Sequence, residues 1–397
     1  MAKKTKKNRG NQVNQQTPVT NPQQLDELLA SPLARLLNYL RPAPADTLPR
    51  KRPVVETLEQ RLLLSTSPLP QPAFNTTLSY TALPTGPTDA VLQIVDTGGP
   101  NLTLQLLNGG SVVGQELLDE NIRVAFTGSA FNDKLTVNLN YTDSDGNPAF
   151  SPFAIKIDFD GGTDIPALSD DQLVIQSAGP HTYQSGGLFV SSTDDIQVGG
   201  VLRSVGDIDL QSAEKIDVLS GANLNGRDLR LAAIASSTGG ILGTDIQANA
   251  NTSVNLFGAT LAGRNIGIDA QSTVTLDSED TELFGGQVKI GAVDANASAG
   301  IAFSGANTVT ATGTLNLDAS SSVTSKLVAA PDSSSNQSDK DAAVAISHVN
   351  SSANIRVGGS SALTATGAMN IAANNSVNAQ THADGGAGGS SGTALGG

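Results

Sequence analysis

Three histidines, no cysteine and a scatter of carboxylates define the chemistry open to this 397-residue chain. No two of His181, His348 and His382 stand at metal-ligand spacing, and the lack of cysteine removes thiolate ligands, disulfides and sulfur nucleophiles. Ser-His-Asp chemistry around His348 is set aside, because no nucleophile-elbow motif accompanies it. Acid–base chemistry has more candidates. Asp207 and Asp209 fall on one face of a strand, as do Asp277 and Glu279; Asp217, Asp269, Asp280 and Glu282 complete the set that a polysaccharide-cleaving enzyme would draw on. Carboxylates alternating with apolar residues are equally the wet side of a half-buried strand, and that simpler reading is preferred.

Calcium is the stronger chemical option. Asp143, Asp145 and Asn147 offer oxygen ligands at alternate positions, although Pro148 stands where an EF-hand loop needs glycine and an Asp-Gly hairpin turn accounts for the same residues. Asp158 and Asp160, in Asp158-Phe159-Asp160-Gly161-Gly162, form a second oxygen-rich turn. That segment, with Ala130–Val137 and Asp171–Ile175, resembles degenerate copies of the glycine- and aspartate-rich calcium repeats of exported bacterial proteins, without ever completing the nonapeptide. No cofactor is therefore expected, calcium being the only one these turns could accept, and no catalytic residues are assigned.

The elements that would carry these residues follow from composition and periodicity. Net charge is −14, but residues 1–52 hold ten Lys or Arg against three acidic residues, which leaves the remainder near −21. An acidic body disfavours nucleic acid, whose phosphates need basic partners. The basic Lys3–Arg9 leads into polar Gly10–Gln16 rather than an apolar core, so no secretory signal is read there; no 18-residue apolar run provides a membrane span. Leucines from Leu25 to Leu40 recur at helical steps, interrupted by Pro32, in a segment otherwise read as disordered.

Leu58-Glu59-Gln60-Arg61-Leu62-Leu63-Leu64-Ser65 follows this basic head. The run resembles the LEPR-XLL motif found near the start of very large bacterial repeat proteins, often adhesins or filamentous surface proteins, with Leu58, Glu59, Arg61, Leu63 and Leu64 matching and Gln60 in place of the family's proline. The resemblance implies a bacterial cell-surface or extracellular protein, handled by secretion machinery and meeting a host or environmental ligand, glycan or protein.

Three regions are expected: the basic, partly helical segment 1–73; a leading β-rich domain 74–178, either a small sandwich or the first distorted coils; and a β-solenoid from 179 to 397. In the third region a glycine precedes an apolar-polar-apolar triplet, as in Gly206-Asp207-Ile208-Asp209-Leu210, Gly226 with Leu229 and Leu231, Gly263 with Ile266 and Ile268, Gly286 with Val288 and Ile290, Gly313 with Leu315 and Leu317, and Gly367 with Met369 and Ile371. Between them lie second triplets at Ile216–Val218, Val274–Leu276 and Ile301–Phe303, with Val254–Leu256 a further strand candidate. Alternate residues entering a narrow core, with glycine at the corner, are what a parallel β-helix needs. Residues 310–323 and 364–377 repeat each other 54 positions apart, and the same step carries Ala343 onto Gly397, so the sequence is read as part of a longer chain. Asn255, Asn316 and Asn370 would either stack as a ladder or face solvent in turns. The expected function is a rigid stalk or adhesive surface, the alternatives being a carbohydrate-active β-helix enzyme or a non-adhesive matrix or S-layer-like protein.

Overall fold

The computed structural model describes residues 68–96, 102–141, 152–162, 171–177, 184–238, 246–279, 281–283, 288–329 and 342–383. The chain divides into Met1–Leu63 and Leu64–Gly397, and all described residues belong to the second unit. The helical segment near Leu25–Leu40, the Leu58–Leu64 motif, and Asp143, Asp145 and Asn147 lie outside them. Every regular element described is a β-strand, so no helix there is long and apolar enough to cross a membrane.

The fold is a parallel β-helix, the all-β solenoid that the triplets predict, and its strands form three faces. Face 1 holds β1 (Thr76–Thr81), β5 (Ile122–Thr127), β7 (Ala154–Asp160), β10 (Gly187–Ser192) and β12 (Ile208–Ser212), then β15 (Asp228–Thr238), β18 (Asn265–Glu279), β22 (Leu315–Ala329) and β25 (Met369–Ala383). These nine strands pair in parallel throughout. Face 2 stacks β2 (Asp89–Val95), β6 (Lys134–Asn138), β8 (Gln172–Ser177), β11 (Asp195–Ser204), β13 (Lys215–Val218), β16 (Ile246–Phe257), β20 (Val288–Ser304) and β23 (Ala342–Val357), again in parallel. Face 3 is narrow: β9 (Gln184–Ser185), the end of β11, β14 (Asn223–Asn225), β17 (Thr260–Gly263), β21 (Thr308–Ala311) and β24 (Ala362–Ala365). Faces 1 and 2 run without a break past residue 178.

Alternation builds the core. Ile155, Leu188, Ile208, Leu229, Ile266 and Leu315 stack coil upon coil on face 1, each at most 2% exposed, opposite Leu173, Ile196, Ile216, Val254 and Ile301 of face 2. Leu202, Leu224, Leu261 and Val309 close the triangle from face 3. Because side chains alternate across a strand, a triplet such as Leu229-Arg230-Leu231 commits two residues to this core and one to the outer face.

Coil length varies strongly. Leu188 pairs with Ile208 and Ile208 with Leu229, a coil of about twenty residues that encloses little beyond the triangle. Thereafter Leu229 pairs with Ile266, Ile266 with Leu315 and Leu315 with Met369, so the coil lengthens until it reaches the 54-residue repeat. The added residues extend faces 1 and 2 past the triangle into a two-layer flange with its own thin core. Ala248, Ala250, Ala295 and Ala297 of face 2 meet Val274, Leu276, Val323 and Leu327 of face 1. Small residues on one layer let the other fill the gap, and the flange needs no third wall. Two triplets therefore differ from the simple expectation. Val274–Leu276 belongs to the flange of face 1, and Val288–Ile290 joins face 2, parallel to Ala342–Val344 and antiparallel to β19 (Thr281–Leu283).

Glycine governs two corners. Between faces 2 and 3, Gly258, Gly305 and Gly359 have φ of 73°, 77° and 66°, which side-chain-bearing residues rarely adopt. Before face 1 the constraint is closeness: a Cβ on Gly206 would lie 1.7 Å from the carbonyl oxygen of Gly186, one coil below. At the amino-terminal end, β3 (Thr103–Asn108) pairs antiparallel with β2 and β4 (Ser111–Leu117) antiparallel with β3, and Leu104 and Leu106 of β3 are buried.

Two substitutions separate these contributions. Leu210→Ala, at a fully buried ladder position, is expected to cost about 2–5 kcal/mol, and Gly305→Ala about 1–3 kcal/mol through backbone strain. Urea unfolding followed by circular dichroism checks both; no loss in either would contradict the packing described.

Candidate functional site

The outward positions of face 1 carry two rows of polar and charged side chains that run from coil to coil. One row runs Arg123, Lys156, Phe189, Asp209, Arg230 from coil to coil, and the row beside it runs Asp158, Ser191, Gln211, Ala232, Asp269, Asp318. Opposite charges meet between them. Arg123 Nε lies 2.5 Å from Asp158 Oδ2, Lys156 Nζ lies 3.6 Å from Asp158 Oδ1, and the Ser191 hydroxyl donates to the same oxygen at 2.6 Å. Asp158, a candidate calcium ligand, is thus held by two cations and a hydroxyl. Asp160 is exposed and accepts the Gly162 N–H at 3.1 Å, a local turn contact. Among the described residues no group of three His, Asp or Glu is arranged to hold a metal ion.

Further along, Arg230 Nη1 donates to Asp209 Oδ1 at 3.2 Å, and its Nε lies 3.7 Å from Asp269 Oδ2. All three side chains are nearly inaccessible, at 4% exposure or less. Asp209 Oδ2 also accepts the N–H of Leu69 at 3.1 Å, so the segment before β1 crosses this face. That segment is fixed again where Asn121 Nδ2 donates to the Ala73 carbonyl at 2.9 Å and where Phe74 packs edge-on against Phe189 at 6.1 Å. Two carboxylates share one guanidinium here, and burial pushes the Asp209 carboxyl above its ordinary range despite the attraction of Arg230. Burial likewise raises Asp318, the strand neighbour of Asp269.

A second series sits at the corner entering face 1. Arg227 donates from Nε and Nη2 to the two oxygens of Asp207, both at 2.7 Å, and Arg264 clasps Asp228 one coil later. Asn265 adds its backbone N–H and Nδ2 to Asp228, and in the following coil its Oδ1 accepts the Thr314 N–H at 3.1 Å. Burial alone would raise Asp228, but the bonds from Arg264 and Asn265 outweigh it and hold the carboxyl below its ordinary value. The glycine corners before the Leu229 and Ile266 triplets carry Arg227 and Arg264, which the apolar pattern does not single out, and each pairs one coil back. The calcium-like aspartates form a third series. Buried Asp133 accepts the Thr88 N–H at 2.6 Å as well as that of Ser129, and its own N–H donates to Asp171 Oδ1, so these side chains cap backbone groups of adjoining coils.

Two further candidate acids are also held by neighbouring side chains. Asp217 accepts from Asn255 at 2.8 Å and Asp277 lies 3.5 Å from Lys326. Asn370 donates to Asn316 at 2.8 Å, an amide ladder across the 54-residue repeat, whereas Asn255 stands on face 2. Where face 2 widens from β13 to β16, a recess of about 430 Å³ is lined by Asp195, Glu214, Lys215, Asn251, Thr252, Ser253 and Ser298. Lys215 Nζ lies 2.6 Å from Asp195, a hydrogen bond that keeps the ammonium protonated above its usual range.

Arg230→Met leaves Asp209 and Asp269 buried without their cation and is expected to lose about 3–5 kcal/mol, whereas Arg227→Ala at the exposed corner is expected to lose about 1 kcal/mol or less. The raised Asp209 carboxyl means the native state binds its proton more tightly than the unfolded chain does. Stability from this group is therefore present at low pH and declines as pH rises from its ordinary 3.8 through the raised native value. Urea midpoints across pH are expected to show that decline weakened in Asp209→Asn; an unchanged slope would contradict it. No protein-family model, curated protein or solved structure matches this chain.

Proposed function

We propose that the chain is a structural and adhesive repeat region of a large exported bacterial surface protein, its solenoid serving as a rigid stalk and binding surface. The observation that carries this reading is how the acids on the solenoid are used: Asp158, Asp207, Asp209 and Asp228 each bind a cation, and the guanidinium partner of each reaches across from a neighbouring coil. Such pairing supports stiffness along the stack. Each coil adds about 4.8 Å, so ten coils would project a surface by about 50 Å.

Binding falls most naturally to the polar step on face 2. The carboxylates, amide and hydroxyls of the recess are suited to a polyhydroxylated ligand such as a glycan, and beside them run Asn249 with Asn296 and Ser298 with Ser352. The basic Lys3–Arg9 stretch and the Leu58–Leu64 motif are proposed to serve export, retention or anchoring at the cell surface. A role for calcium through Asp143, Asp145 and Asn147 belongs to the same proposal.

A glycan array probed with the purified chain, run beside a reducing-end assay on the same polysaccharides, tests this reading. Binding without cleavage is expected, weakened about tenfold, or about 1.4 kcal/mol, in the double variant Asn251→Ala with Ser253→Ala. Release of reducing ends that is abolished in Glu214→Gln would overturn the reading in favour of a carbohydrate-active enzyme.

A further inference from the structure

The segment before β1 does more than lead into the solenoid. Leu69 is tied to Asp209 of β12, Phe74 to Phe189 of β10 and Ala73 to Asn121 just before β5, so the segment runs lengthwise over face 1 across three coil steps. The four residues from Leu69 to Ala73, at roughly 3.1 Å each when extended, nearly match three strand spacings of roughly 4.8 Å. Pro68, Pro70 and Pro72 favour that extended form and lack the N–H groups a sheet would need. The segment therefore stands against face 1 as a stiff wall and forms no strand.

Between this wall and the corner entering face 1 lies a recess of about 450 Å³, a volume that suits a small ligand. Pro70, Pro72 and Phe189 give it apolar surface, and Gln71, Asp207 and Arg227 give it polar groups. Arg227 is 55% exposed and donates to Asp207 from Nε and Nη2 only. Among the described residues nothing accepts from its Nη1, so the Nη1–Nη2 edge is open. Arg264 follows at the next passage of the corner, where its backbone N–H donates to the Arg227 carbonyl at 2.6 Å, and its own guanidinium is 59% exposed. Their partners Asp207 and Asp228 lie behind them at 3% and 11% exposure. A ligand reaching this corner meets guanidinium before carboxylate.

We infer that this recess is a binding site for a carboxylated sugar of the hexuronic acid class. The open edge of Arg227 presents two parallel N–H donors, the arrangement that a carboxylate accepts in paired hydrogen bonds. The Gln71 amide serves a ring hydroxyl, and the proline and phenyl surfaces cover the C–H face of a pyranose. A peptide is the poorer occupant, because the prolines of the wall offer its backbone no N–H. The site differs from the polar step of face 2 in both place and ligand charge, and it stands whether or not that step binds a glycan.

Calorimetric titration of the full chain with a glucuronic acid trisaccharide, and with its neutral glucose counterpart, tests the site. The acidic sugar is expected to bind, and the neutral one at least about tenfold more weakly. Arg227→Gln is expected to weaken the acidic sugar by about tenfold and Gln71→Ala by about threefold, both with an unchanged circular dichroism spectrum. The double variant Asn251→Ala with Ser253→Ala is expected to bind it as the unmodified chain does, which separates this site from the one on face 2. No binding of the acidic sugar, equal binding of the neutral one, or binding indifferent to both Arg227→Gln and Gln71→Ala would overturn the inference. A triglutamate peptide that binds more tightly than the sugar, with the same loss in Arg227→Gln, would assign the recess to an acidic peptide instead.

Discussion

In a parallel β-helix every residue of a strand sits directly above another residue one coil away, and this register constrains the whole molecule. An inward residue must find an aliphatic neighbour, as Ile208 finds Leu188 and Leu229. An outward residue must find a neighbour of compatible charge, because like charges set opposite each other on adjoining strands repel. Asp209 satisfies the rule by facing Arg230. Asp269 over Asp318 is the exception in register, and it is burial, not this neighbour, that raises the Asp318 carboxyl.

The same register explains why the carboxylates are placed where they are. Asp207 and Asp228 lie at successive passages of one corner, so the guanidinium that follows each passage reaches the acid of the coil before. Asp133 and Asp171 lie at successive passages of another, where each side chain accepts a backbone N–H that the turn leaves over. Acids that in isolation read as catalytic or calcium-binding thus hold adjoining coils together. Variation in coil length adds to this scheme without disturbing it. The flange grows outward from faces 1 and 2 while the triangle stays constant, and the step where growth begins leaves the polar recess beside Lys215.

Much of this was legible in the residues alone. Ile208-Asp209-Leu210 and Leu229-Arg230-Leu231 declare their inward pairs, and the repeat of 310–323 in 364–377 coincides with the pairing of Leu315 and Met369. What stayed hidden depends on coil length, which no local pattern reports. Val274 and Val288 carry the same triplet signature as Ile266 yet lie on the flange, because the number of residues between corners decides where a strand falls. Arg227 and Asp207 are twenty positions apart and Arg264 and Asp228 thirty-six, so neither pair could be named before the register was known.

The register can be measured directly because the chain contains no cysteine. Ser320 lies beside Asn374 on the outer side of face 1. Paired strands about 4.8 Å apart bring two Cα atoms within disulfide reach. Under mild oxidation the double variant Ser320→Cys with Asn374→Cys should cross-link nearly completely, whereas Ser320→Cys with Asn378→Cys, two same-face positions further along β25, should not. Equal cross-linking of both pairs, or of neither, would contradict a solenoid held in the 54-residue register.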